Sequence, residues 1–203
     1  MAARTQEKYQ VRFAWGVAGA DRIAHGTHLV VWVDVLPDPR SAAHGAGPVA
    51  RARAAAALLP DGPEVVLGHL GNAASVAERV TRLQAERGDR CVVAVVAAGR
   101  SLVSADDVAE DAGEPADADG APDPAVEDLL AAGAVVDALI SVGIDHTSPE
   151  AAAACAAFTG LRRAVKHLVS AAEGAAELDR GTVHAALAAG PELVVLRESG
   201  AAA

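Results

Sequence analysis

A chain of 203 residues is long enough to bury a sizeable core, and residues 1–203 are expected to form a single domain. Hydrophobic residues make up 52% of it but aromatic residues only 2%, so that core must be built from Ala, Val and Leu. The formal charge of −10 is unevenly placed: residues 104–123, "SADDVAEDAGEPADADGAPD", hold eight acids and no base, which leaves 17 bases against 19 acids elsewhere.

That acidic segment has little to bury and reads as a solvated, flexible loop. No basic stripe interleaved with aromatics appears, which argues against a nucleic-acid partner. No apolar run reaches the roughly 18 residues of a membrane span, so no membrane partner is expected. The start, "MAARTQEKYQ", lacks the apolar stretch of a signal peptide. Cys91 and Cys155 lie in apolar stretches and read as reduced thiols. Together these features point to a cytoplasmic protein.

Val11 to Trp15 reads as a first strand. Leu29 to Leu36 is nearly continuous in apolar residues, as in a strand covered on both faces. It carries one acid, Asp34, almost at its end, before Pro37 and Pro39. A helix is predicted over "VARARAAAALL", with Pro48 near its first turn. Glu64 to Leu67 reads as a short strand. Asn72 is placed to cap the helix "AASVAERVTRLQAERG", in which Val76, Val80 and Leu83 share a face and Gly88 fits the stop. Cys91 to Gly99, "CVVAVVAAG", is a second fully apolar strand.

After the acidic segment, Asp123 is placed to cap a helix starting at Pro124. Glu127, Ala131, Ala134 and Ala138 share one of its faces, so Glu127 is expected to point into a packed interface. Ser148-Pro149-Glu150 repeats the start signal for "SPEAAAACAAFTGLRRAVKHLVSAAEG", with Phe158, Leu161, Val165 and Leu168 as its buried stripe. A short helix, "TVHAALAAG", leads to a last strand, "ELVVLRES". Apolar strands alternating with helices predict an α/β fold, a three-layer α/β/α sandwich with a mostly parallel or mixed sheet. The Ala-rich helix faces suit self-association, and a homo-oligomer such as a dimer is expected.

Ligands of open α/β sheets gather at the carboxyl ends of strands. Asp34 stands two residues before such an end. A carboxylate there either holds a divalent cation or accepts a proton, or it is simply bonded to backbone or to an Arg. Glu127 and Asp128 lie in a first helical turn, where the dipole favours anions. Asp34 with Glu127 or Asp128 would make a two-carboxylate Mg²⁺ site. The loops "HGAGPVAR" and "GHLGNAAS" run into helix starts that offer free N–H groups. Arg40, Arg51, Arg53 and Arg100 are candidate anion clamps.

Several stretches resemble the 2-phosphosulfolactate phosphatase (ComB-like) family. "VRFAWGVAGADRI" is similar to the family's opening motif, with Ala14 in place of an acid. "VVWVDVL" is similar to its Val-Asp-Val-Leu strand, and "GNAASVAERV" and "VVAVVAAGR" to later segments. "PAVEDLLAAGAVVDAL" resembles its Glu-Asp-x-x-x-Ala-Gly helix, and "PELVVLRESG" its closing segment. The resemblance implies an α/β/α enzyme that hydrolyses the phosphate ester of sulfolactate with Mg²⁺, and it carries over Asp34, Glu127, Asp128 and Gly133. Asp34, Glu127 and Asp128 would then be catalytic, with Asp34 and Glu127 on the metal. Arg40, Asn72 and Arg100 would bind the phosphate of a small phosphorylated acid. "PDPRSAAHGAGP" stands where the family has a polar, Arg- and Thr- or Ser-rich turn. Its Asn-Gly loop before the Asn72 helix has no counterpart here. Two functions are therefore expected: a Mg²⁺-dependent phosphate monoester hydrolase, or a diverged, non-catalytic binding or regulatory protein of the same fold.

Overall fold

The computed structural model describes residues 6–37, 48–100 and 122–200. Arg40 and most of the acidic segment 104–123 lie outside the described residues. Strand β1 (Val11–Trp15) runs directly into α1 (Gly16–Ile23). Then come β2 (Leu29–Val33), α2 (Pro48–Ala56), β3 (Glu64–Gly68), α3 (Ala73–Arg87) and β4 (Val93–Ala97). Helices α4 (Val126–Ser141) and α5 (Pro149–Leu161) follow, then a 3₁₀ turn (Arg162–Ala164) and α6 (Val165–Ser170). Helices α7 (Glu173–Ala176) and α8 (Arg180–Leu187) precede the final strand β5 (Val194–Arg197).

The strands form one mixed sheet in the order β1-β4-β2-β3-β5. The first four are parallel, and β5 runs antiparallel to β3. The α/β class expected from the sequence is thus the class observed. Alternate residues of a strand face opposite sides of the sheet, and the core divides accordingly. Val31, Val33, Val66, Val93 and Val95 pack with Val76, Val80, Leu130, Val135 and Leu139 of α3 and α4. Val30, Trp32, Val65 and Val96 pack with Ala20 and Ile23 of α1 and Ala52 and Ala56 of α2. The inner strands are fully buried, which explains their unbroken apolar runs.

Helix α1 has no counterpart among the predicted elements. It starts at a glycine, and its N-cap position, Trp15, makes no side-chain cap hydrogen bond. Its buried residues Gly16, Gly19, Ala20 and Ile23 nevertheless fall at helical spacing, the one signal that could have revealed it.

Three other expectations need correction. Asp123 does not cap α4: its backbone pairs with Arg100 (N–H to O at 2.8 and 2.9 Å), and the helix starts at Val126 with Ala125 at the cap position. Asn72 stands at the cap position of α3 but makes no side-chain cap bond there. The long helix predicted from Ser148 is broken by the 3₁₀ turn at Arg162–Ala164, and Leu161 is exposed instead of buried. Ser148 does cap α5, its Oγ accepting the Ala151 N–H at 3.1 Å.

Helices α4 and α5 approach closely at Gly133. A Cβ there would stand 2.1 Å from the Ala154 carbonyl oxygen and 2.7 Å from the Phe158 Cβ. Gly133→Ala should therefore lower the unfolding free energy by about 1–3 kcal/mol in urea denaturation. Gly160→Ala, in the same helix pair but facing open space, should leave it unchanged or raise it by about 0.5–1 kcal/mol.

Candidate functional site

Strands β1, β4 and β2 end side by side, and the chain turns out of each within a few residues. The Ala98 N–H still reaches the Val33 carbonyl at 2.8 Å. Gly99 then adopts φ +67°, and its missing side chain leaves room for Pro122: a Cβ would stand 3.0 Å from the Pro122 ring and 2.7 Å from the Asp123 carbonyl oxygen. This sharp turn aims the Gly99 N–H back towards the start of α4.

Asp128 waits there. It is buried, and its Oδ1 accepts the Val35 N–H at 2.9 Å while its Oδ2 accepts the Gly99 N–H at 2.9 Å. One carboxylate thus joins the chain leaving β2 to the chain leaving β4. The first-turn position of α4 adds a favourable dipole. Burial nonetheless pushes the Asp128 carboxyl well above the usual aspartate range. The charge of Asp34 adds to the rise, and the two amide bonds oppose it.

Asp34 takes up the alternative of pairing with an Arg. Arg51 of α2 grips it with a fork: Nε donates to Oδ2 at 3.0 Å, and Nη2 donates to Oδ1. The same Nη2 donates to the Leu36 carbonyl at 2.8 Å. Such planar two-point pairing is geometry that Lys could not reproduce.

Glu127 is buried, as its Ala-lined face predicted. Its Oε1 lies against the backbone of α7, where a Cβ on Gly174 would come within 2.6 Å of it. Burial raises its carboxyl above the ordinary range. Its own backbone N–H and Arg100 oppose that rise, and Asp34 and Glu173 add to it. Arg100 bonds to Glu173, Nη1 to Oε2 at 3.0 Å.

The structure therefore brings Asp34, Glu127, Asp128 and Arg100 to one end of the sheet. Asn72 also lies at this end, just beyond β3, but it is fully buried and its amide serves the backbone: Nδ2 donates to Leu67 O at 2.9 Å, and Oδ1 accepts the His69 N–H at 2.9 Å. That commitment removes it as a phosphate ligand. Sequence reasoning did not single out Arg51 as the partner of Asp34, or Glu173 as that of Arg100. Nothing in their spacing announces these pairs, which join the segments leaving β2 and β4 to α2 and α7.

Mg²⁺ prefers oxygen ligands in octahedral array. Asp34 and Glu127 offer the right atoms, but Asp34 is held by a guanidinium and both Asp128 oxygens accept backbone N–H groups. Among the described residues, no group of three or more His, Cys, Asp or Glu could hold a metal ion. The described residues do not fit the Mg²⁺ centre that the family resemblance implies.

No family model matches the chain, and comparison with curated proteins finds no match. Among the described residues, no helix is long and apolar enough to cross a membrane.

Removing the Asp128 charge tests its bridging role. Asn keeps one acceptor but turns an NH₂ towards a backbone N–H, so Asp128→Asn should cost about 1–3 kcal/mol in urea denaturation. The pH dependence has a definite sign. With its carboxyl raised, the folded chain keeps a proton that the unfolded chain releases near pH 4. The stability linked to that proton is complete below this range and is lost as pH rises through the folded value. Unfolding free energies across a pH series should show that decline in the wild type and a shallower one in Asp128→Asn.

Proposed function

We propose that this chain is a non-catalytic α/β domain, a binding or regulatory protein in which the acids at the carboxyl end of the sheet hold the fold together. One observation carries the reading: the buried Asp128 carboxylate accepts from both Val35 and Gly99, tying two strand ends. Of the other charged groups nearby, Asp34 pairs with Arg51 and Glu173 with Arg100. Phosphoryl transfer depends on cationic groups aimed at the transferring phosphate, and Arg51 and Arg100 are each already paired with a carboxylate. The free thiols of Cys91 and Cys155 support a reducing, cytoplasmic setting.

A second reading, the Mg²⁺-dependent phosphate monoester hydrolase, has one specific observation in its favour. The charge of Asp34 reaches both Glu127 and Asp128, so three carboxyls meet at one end of the sheet, and perturbed acids of this kind mark many catalytic sites.

One assay separates the two. Purified protein incubated with p-nitrophenyl phosphate and Mg²⁺ should release no nitrophenol above background, Asp34→Asn should behave identically, and calorimetry should detect no saturable heat of Mg²⁺ binding. Metal-dependent turnover abolished by Asp34→Asn would overturn the non-catalytic reading and establish the hydrolase.

A further inference from the structure

At the amino-terminal end of the sheet, away from the Asp128 carboxylate, β2 and β4 enter side by side. The chain leading into β4, Cys91 and Val92, is held there by side chains from three directions. Gln10 Nε2 donates to the Cys91 carbonyl at 3.1 Å, and Gln84 Oε1, on α3, accepts the Cys91 N–H at 3.4 Å. The third side chain is that of His28, the residue just before β2. Its Nδ1 accepts the Val92 N–H at 2.8 Å, and its backbone N–H donates to the Val92 carbonyl at 2.8 Å. The His28 carbonyl in turn accepts the Glu64 N–H at 3.2 Å, at the start of β3. One residue therefore joins the entries of β4, β2 and β3.

The three side chains differ in one respect. The carboxamides of Gln10 and Gln84 do not titrate, whereas an imidazole does so near neutral pH. A ring nitrogen accepts a hydrogen bond only while it carries no proton, so the Val92 contact places the neutral ring's proton on Nε2. A second proton must then go to Nδ1, where one N–H would face another and attraction would turn to repulsion. His28 is half-buried, and the charges that reach it are those of Arg87 in the last turn of α3, Asp89 just beyond that helix and Arg12 on β1. Burial holds the imidazole below the usual histidine range. Arg87 lowers it further, Asp89 opposes the fall, and Arg12 adds to it.

We infer that His28 is a pH-sensitive latch on this end of the sheet: neutral, it holds the lead-in to β4 against β2, and on taking up a proton it lets that segment go. The folded chain accepts this proton at lower pH than the unfolded chain does. Stability linked to the latch is therefore complete above the unfolded value and is lost as pH falls through the folded one. That sign is the reverse of the one derived for Asp128.

The test is amide hydrogen exchange at Val92, taken as a protection factor at each pH and compared with that of Val95 inside β4, from about pH 7.5 to about pH 4.5. In the wild type the protection of Val92 relative to Val95 should fall about tenfold across the series, the effect of losing one hydrogen bond. The fall should track the titration of the His28 ring followed by NMR. His28→Asn keeps an acceptor, Oδ1, in place of Nδ1 and does not titrate, so its ratio should stay constant. If His28→Asn fails to fold, the wild-type ratio and the ring titration are read together by the same criteria. A wild-type ratio that does not change with pH, a fall that departs from the ring titration or is shared by His28→Asn, or a neutral ring that carries its proton on Nδ1 would each overturn the inference.

Discussion

The carboxylate of Asp128, placed between the amides of Val35 and Gly99, is the contact on which this end of the molecule depends. A parallel sheet has no hairpins to join its neighbouring strand ends, so the chains leaving β2 and β4 diverge unless something ties them. Here the tie is a buried acid from the first turn of α4. Burying it is unfavourable, and the nearby charge of Asp34 makes it more so. Two amide hydrogen bonds and the helix dipole offset that penalty. The Arg51 fork serves the same end, since it neutralises Asp34 and also holds the Leu36 carbonyl in the segment that Asp128 grips.

The rest of the fold follows from economy of size. With so few aromatic residues, the core gains its contact area by letting elements approach closely. Gly133 lets α4 sit on the Ala154 backbone, and Ala-rich α1 and α2 line the opposite face. Fully buried Val-rich strands then need no alternation of polar and apolar residues. The edges are the exception, and β1 is closed by the Gln6 carboxamide and by residues 146–148 in place of another strand.

Much of this was legible in the sequence. The apolar runs at Leu29 and Cys91, Pro48 at the start of α2, Ser148 as a cap and Gly88 as a stop each follow from local chemistry that tertiary packing did not override. Helix α1 shows itself only in the spacing of its small and apolar residues, because it follows a strand without a loop and lacks a capping side chain. Asp123 looked like a cap because an acid precedes Pro124, yet its backbone pairing with Arg100 holds it outside the helix. Asn72 looked like a cap or ligand, but the carbonyl of Leu67 and the N–H of His69 compete for the same amide and win. At the site, the inward aim of Glu127 could be read from the small residues sharing its face, and the place of Asp34 from the end of an apolar run. What those acids bond to could not be read, since the partners are backbone groups at Val35 and Gly99 and an arginine on a separate helix.

The most direct measurement is amide hydrogen exchange at Val35 and Gly99 in the wild-type protein. Both residues lie beyond the ends of their strands, where amides facing water exchange quickly. If Asp128 ties them as described, both should exchange as slowly as the amides of Val31 and Val95 within the sheet. Rates typical of an exposed loop at either position would contradict the account.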